Sequence, residues 1–523
     1  MKMVKSLVLG SLAAVAGMSG AQAADLPVKA KPVEYVRICS LYGAGFFYIP
    51  GTDTCLKIGG YLRVETAVNG GVFGSYYSGI NATNGKYVNY WNARSREDLN
   101  IDTRTATEYG VVRTFFDATF SWTSGGYTGS PNGVVGGTLY DSAPAGTNGN
   151  GSVAGGALGV YYAFIQFAGF TIGKAISQFS TPWTNYPANN FDGLVGGGGD
   201  VTGVIQFTYT FDFGGGSTVS LSAQDQVAYY QAGIANVSLP VGPTSAVSIL
   251  QGGYGVVNNG GSRVPDFVAM YRLDQAWGLF QASFASHDNH AGYYGVSEIT
   301  GHPDDKWGWA AQLALSIKNI PTGAGDTVNL QGVYTDGATR YNLQDLAAIG
   351  YVMFSGTSLL GAYQSVGFAN ALDTVYTGTS SANGSNQESV KTWGFRGGYT
   401  HNWDPYWNTG IYGAYAHIGY GPGGTAQICN NFFAFLTPTP GSTCNPNFNI
   451  AQAGIITRWT PVKNLTFSAD FTYTRLDQAF SGAVTLPASG LLNPVAKPTG
   501  AGVFYELKDQ NSFNLLIRAQ RNW

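Results

Sequence analysis

The chain has 523 residues and a formal net charge of −3; 11% of it is charged, 14% is aromatic, and 74 residues are glycine. The charged fraction is far below the ~25% of ordinary soluble domains. The slight acidity rules out a basic nucleic-acid footprint, and the lack of any run of ~18 apolar residues past residue 23 rules out a transmembrane helix there.

At the N-terminus, Lys2 and Lys5 precede a small, apolar stretch over residues 6–20, followed by Ala21-Gln22-Ala23. Positive flank, short apolar core and small-x-small site together predict a secretory signal over residues 1–23. Removal of those residues leaves 523 − 23 = 500, with 27 − 2 = 25 bases against 30 acids, a net charge of −5. An exported, weakly charged, aromatic and glycine-rich chain without a hydrophobic helix fits an outer-membrane β-barrel. Residues 24–55, with Pro27, Pro32 and Pro50, form an expected periplasmic lead segment, and residues 56–523 the barrel.

The first alternating run is 56–68. Leu56, Ile58, Leu62 and Val64 share one face, and Lys57, Tyr61, Arg63 and Glu65 share the other. A strand turns alternate side chains to opposite faces, so the apolar set reads as lipid-facing and the polar set as lumen-facing. Next comes 95–105, with Arg96, Asp98, Asn100, Asp102 and Arg104 inward and Leu99, Ile101 and Thr103 outward. Segment 109–122 sets Val112, Phe116, Phe120 and Trp122 against Arg113, Asp117 and Thr119.

The rhythm continues at 157–168, 170–178, 201–213, 217–228, 263–274, 276–287, 305–319, 326–336, 389–401, 407–420, 449–460, 464–476 and 513–523. The total is about sixteen strands, joined by alternating short and long connections. That is the pattern of an all-β, transmembrane antiparallel barrel with short periplasmic turns and long outer loops. The last run, FNLLIRAQRNW, ends on an aromatic ring at the expected headgroup level, with Arg518 on its polar face.

Closure of such a barrel sets Arg518 beside the first strand, so Arg63, Arg96, Arg104, Arg113 and Arg518 share one wall of the lumen, with local pairing to inward acids as the plainer alternative. The third outer loop, residues 177–200 (SQFSTPWTNYPANNFDGLVGGGGD), carries two prolines, aromatic residues and a glycine run that permits a sharp fold-back. It is expected to fold into the pore and set Asp192 and Asp200 opposite the arginines as a constriction, since lumen residues tune selectivity.

Four cysteines allow three pairings. In the expected topology Cys39 and Cys55 lie before the first strand, and Cys429 and Cys444 lie in one outer loop. A wall ~25 Å tall separates the two groups, which favours Cys39–Cys55 and Cys429–Cys444. A zinc site is the rival, and it lacks paired C-x-x-C spacing and histidine partners. Catalytic signals are weak: the chain has no G-x-S-x-G elbow, Gly173-Lys174 is followed by Ala175, and the HDNH stretch at 287–290 reads as a solvated strand end. Neither enzyme chemistry nor a cofactor or metal is expected.

The opening ADLPVKAKPVEYVRICSLYGAGFFYIPGTDTCLKIGGYLR (24–63) resembles that of the alphaproteobacterial outer-membrane porin family. WGFRGGYTHNWDPYWNTGIYGAY (393–415) and WTPVKNLTFSADFTYTRLD (459–477) resemble its late hairpins. The resemblance implies a sixteen-stranded trimeric barrel for passive diffusion of small hydrophilic solutes and ions, with the third loop as a constriction and outer-membrane lipid and lipopolysaccharide around it. Two other readings stay open: an adhesin or structural anchor with surface-binding loops, and a substrate-specific channel with a saturable site.

Overall fold

The computed structural model describes residues 37–68, 91–123, 152–153, 156–183, 187–189, 203–225, 231–239, 254–344, 350–435, 437–486 and 503–523. The expected export signal, residues 24–36, Asp192 and Asp200 lie outside the described residues.

One sheet of eighteen strands includes two of only two residues, Phe47–Tyr48 and Ser152–Val153. The other sixteen are β1 (Cys55–Val68), β2 (Trp91–Thr107), β3 (Gly110–Thr123), β4 (Gly156–Phe167), β5 (Phe170–Ala175), β6 (Val204–Asp212), β7 (Ser217–Gln224) and β8 (Asp266–Gln275). They continue as β9 (Gly278–Asn289), β10 (Lys306–Lys318), β11 (Thr327–Asp336), β12 (Lys391–Asn402), β13 (Trp407–Gly419), β14 (Phe448–Val462), β15 (Leu465–Gln478) and β16 (Gln510–Asn522). Each predicted segment overlaps one of these. Every strand pairs antiparallel with the next, and β16 pairs back onto β1 from Asn522↔Tyr61 to Leu515↔Val68. The sheet is therefore a closed barrel, which leaves no strand edge unpaired in lipid.

The phase follows the expected alternation. On β1, Ile58, Leu62 and Val64 are exposed outward, while Arg63, Glu65 and Ala67 are buried inward. On β16, Phe513, Leu515 and Ile517 face out, and Asn514, Leu516 and Arg518 face in. One end of the barrel is closed by tight turns. At the turn between β14 and β15, Asn464 takes φ +67°, a left-handed geometry that asparagine tolerates.

At the turn end, the lead segment is pinned by the Cys39–Cys55 disulfide, and its Phe46 and Tyr42 rings lie under the Arg104 guanidinium. At the far end, the long loops hold structure that alternation does not announce. Short strands lie at Gly350–Ser355, Gln364–Asn370, Leu372–Tyr376 and Val503–Leu507, and Gly421–Phe435 is an α-helix, α1. Pro422 in its first turn costs no intrahelical bond. The Cys429–Cys444 disulfide ties α1 to the segment that leads into β14.

Candidate functional site

The third loop enters the lumen as expected. Phe179 is fully buried against Tyr341, Val268, Ala310 and Val333. Two inward glutamines read its backbone: Gln312 on β10 donates to the Phe179 carbonyl at 2.7 Å, and Gln281 on β9 donates to the Ser180 carbonyl at 3.1 Å. Pro187 then lies on the inner face of β12 and β13, where a side chain on Gly398 or Gly410 would collide with its ring. Arg458 on β14 donates to the Pro187 carbonyl. At Asn189 the backbone N–H donates to Asp470 on β15 at 2.6 Å, and the carbonyl accepts from Arg518 on β16 at 2.9 Å. The described part of the loop thus follows the inner wall from β9 to β16, fastened at each step by a polar side chain that the strand phase points inward.

Arg63, Arg96, Arg104, Arg113 and Arg518 lie on the inner face of β1, β2, β3 and β16, and acids stand among them. Glu65 on β1 is buried between two guanidiniums: Arg94 Nε donates to Oε2 at 2.6 Å, and Arg518 Nε donates to Oε1 at 2.5 Å. Arg63 donates to Gln520 at 2.8 Å and lies on the Tyr61 ring; Arg96 donates to Ser121 at 2.8 Å. Nearer the turn end, Asp102 accepts from Arg104 at 2.9 Å and from Arg113 at 3.1 Å, and Arg113 also reaches Gln166 at 3.0 Å. Arg104 and Arg113 keep more than a quarter of their side chains exposed, whereas Arg63 and Arg96 are 4% exposed. The solvent-facing bases of this wall are therefore Arg104 and Arg113. Arg518 does not face the loop across the lumen; it holds the loop.

Four further inward arginines escape the sequence reading. Arg94 lies one residue before the expected start of its strand, which in fact begins at Trp91. Arg272 pairs with Gln281, Arg396 donates to the Asn342 carbonyl at 2.5 Å, and Arg458 holds the third loop. Arg396 and Arg458 fasten loops; their inward phase was the available signal.

Beside the arginine wall, along β13–β15, the lumen is filled. Tyr412, Ala414 and Ile418 on β13, Ile450 and Ile456 on β14 and Leu476 on β15 are buried on the inner face. They join one hydrophobic core with loop residues Tyr351, Phe368, Tyr420, Phe480 and Tyr505. Apolar area is removed from water on both sides of this wall.

His287 is fully buried, not solvated as the HDNH stretch suggested. Its Nδ1 hydrogen-bonds Asp266 at 2.9 Å, and its Nε2 lies 3.7 Å from Asp373. Asp373, in the loop between β11 and β12, accepts from the backbone N–H groups of Thr339 and Ala232, each at 2.6 Å. Burial pushes its carboxyl up to about 6, against the opposing charge of His287 and those two bonds.

Comparison with known proteins agrees with this architecture. Residues 25–515 match the family described as the porin subfamily. Porin Omp2b of Brucella suis is 36% identical over 221 residues, covering 42% of this chain and 51% of that protein. Porin Omp2a of Brucella melitensis is 38% identical over 221 residues, 42% of this chain and 55% of that protein. The aligned part thus spans about half the length of these curated relatives. The outer membrane channel DcaP of Acinetobacter baumannii superposes with a TM-score of 0.53 at 14% identity, covering 91% of this chain and 99% of that one, a likeness of fold.

Proposed function

This chain belongs to the porin subfamily, and from that premise we propose that it forms a water-filled channel for passive diffusion of small hydrophilic solutes and ions. It is an outer-membrane β-barrel protein, and family and relatives point to a channel rather than an enzyme. The observation that carries the reading is the third loop fastened inside the barrel, with Asn189 bonded to Asp470 and Arg518. A segment held there narrows the lumen without sealing it, because the opposite wall is polar and charged.

The constriction is assigned to Arg63, Arg96, Arg104, Arg113 and Arg518 with the loop that carries Asp192 and Asp200. Arg104 and Arg113 meet the solute most directly, because they are the more exposed. A homotrimer embedded in lipid and lipopolysaccharide is part of the same proposal. Glu97 supports it: the residue lies inside the 17-residue β2 and faces outward between Leu62 and Phe120. A carboxylate there is better placed against protein than against acyl chains.

Stepwise current from purified protein in a planar bilayer tests the channel. Conductance that rises linearly with salt and with solute supports free diffusion; a saturating response favours a substrate-specific site. Zero conductance refutes the channel and leaves the second reading, a surface-binding anchor.

A further inference from the structure

Two phenylalanines interrupt the polar inner face of the first strands. Phe115 on β3 and Phe164 on β4 are ladder partners, and their ring centroids are 5.4 Å apart. Both are half-buried on the lumen side. Neither belongs to the hydrophobic core that the outer loops build among the described residues. On the next strand the partner of Phe164 is Gly173, which has no side chain to cover the ring. Apolar area left against lumen water is unfavourable, and an exposed apolar patch inside a channel marks a place for something to cover it.

Cations border the rings. The Arg113 guanidinium lies 4.9 Å from the Phe115 centroid and 5.5 Å from that of Phe164. Asp102, opposite Phe115 on β2, holds Arg113 and Arg104 together. Lys57, opposite Asp102 on β1, is exposed. The nearest further acid is Asp117, the next inward residue above Phe115, and it is buried. Three bases thus stand against two acids. Arg104 bonds Asp102 through Nε and Nη2, which leaves its Nη1 donors to a further acceptor. Arg104 and Arg113 are ladder partners three residues from the tight turn, so the cluster lies at the turn-end mouth of the lumen.

The rings and the guanidiniums call for different parts of one ligand. A guanidinium is a planar fork that matches a carboxylate. A ring prefers a second ring, offset or edge-on, with centroids about 4.5–7 Å apart. An inorganic anion satisfies only the first, and a neutral aromatic only the second.

We propose that Phe115, Phe164, Arg104 and Arg113 form a weak binding site for aromatic carboxylates. The solute ring lies on the phenylalanines, and its carboxylate lies on the guanidiniums. Such solutes dwell at the turn-end mouth while small ions pass. The inference rests on the channel proposed above and adds a preferred solute class.

The test uses the full-length protein in a planar bilayer, with benzoate as the probe. At about 0.1 M salt, rising benzoate should lower the potassium chloride current to a plateau. Acetate, benzyl alcohol and benzylammonium at equal concentration should not. The half-blocking concentration should rise at about 1 M salt, where the screening length is only ~3 Å. Phe115→Leu with Phe164→Leu removes the rings and keeps apolar volume, and Arg113→Gln removes one fork. Each should raise the half-blocking concentration roughly threefold to tenfold while compact migration in detergent gels is kept. Equal block by acetate, block by benzylammonium in place of benzoate, or a benzoate block unchanged in both variants overturns the site. If the variants fail to fold, the comparison of probes on the parent protein decides. A conducting channel that benzoate does not block overturns the site and leaves the channel. A protein that carries no current overturns the channel, and broadening of the benzoate ring-proton resonances by the detergent-solubilised protein then decides the site.

Discussion

Arg518 and Glu65 join the last strand to the first: the guanidinium Nε donates to the carboxylate at 2.5 Å, and both groups are buried. Arg94 closes on the same carboxylate from β2. Glu65→Gln would leave two buried guanidiniums without their counter-charge, and breaking a buried pair from one side costs about 3–5 kcal/mol. The expected outcome is a clear fall in the temperature at which the folded barrel loses its compact migration in detergent gels. Glu97→Gln, on the opposite face of the neighbouring strand, should leave the monomer's own unfolding temperature near the parent's.

The third loop should loosen when its seat is altered. Asp470 accepts from the Asn189 backbone and from the Tyr412 hydroxyl at 2.6 Å each. Asp470→Ala takes the acceptor from the buried Asn189 N–H, at about 1–3 kcal/mol, while the Tyr412 hydroxyl keeps Thr472 at 2.6 Å. Gly410→Val would drive a side chain into Pro187. Both variants are expected to raise single-channel conductance and open-state noise. Unchanged traces would mean that residues 187–189 do not set the narrowest section.

Ion selectivity should follow exposure. Arg104 and Arg113 are the solvent-facing bases of the wall, and Asp102 lies between them. Neutralising both to glutamine leaves Asp102 uncompensated and should move the reversal potential in a salt gradient toward cation preference. The shift should shrink at high salt, since the screening length falls from ~8 Å at physiological strength to ~3 Å at 1 M. Arg63→Gln should move it less, because Arg63 is buried against Tyr61 and Gln520.

Acidity should tighten the outer layer at Asp373. Its carboxyl, raised to about 6, has a folded value above the ~3.9 of an unfolded aspartate. The folded chain then binds the proton more tightly, so stability rises as pH falls through about 6 and levels off below about 4. Amide exchange at Ala232 and Thr339, corrected for intrinsic rates, should slow between pH 7 and pH 5. Asp373→Asn should abolish that difference.

The strands were legible because lipid and lumen impose opposite chemistry on alternate residues. On β15 the set Leu465, Phe467, Ala469 and Phe471 faces out against Ser468, Asp470 and Thr472. Legibility fails where that contrast fails. Ala414, Ala416 and Ile418 face inward yet are apolar, because loops cover them, and nothing near them in sequence says so. His287 is buried for the same reason: the loop that carries Asp373 closes over it from far along the chain. Arg94 was missed through a strand start set four residues too late, at 95 against Trp91. Asp192 and Asp200 lie outside the described residues, so their place opposite the arginines stays a proposal.

The core that joins Tyr351, Phe368, Ile428, Phe480 and Tyr505 to the inner wall lies on the far side of the membrane from the turns. Its segments reach that side only by crossing the bilayer, so the core cannot assemble before the strands that carry it have inserted. Folding is thereby divided in time. In the folded protein these loops cover Ile450 and Leu476, so cutting the loops back should expose hydrocarbon on the inner wall to water.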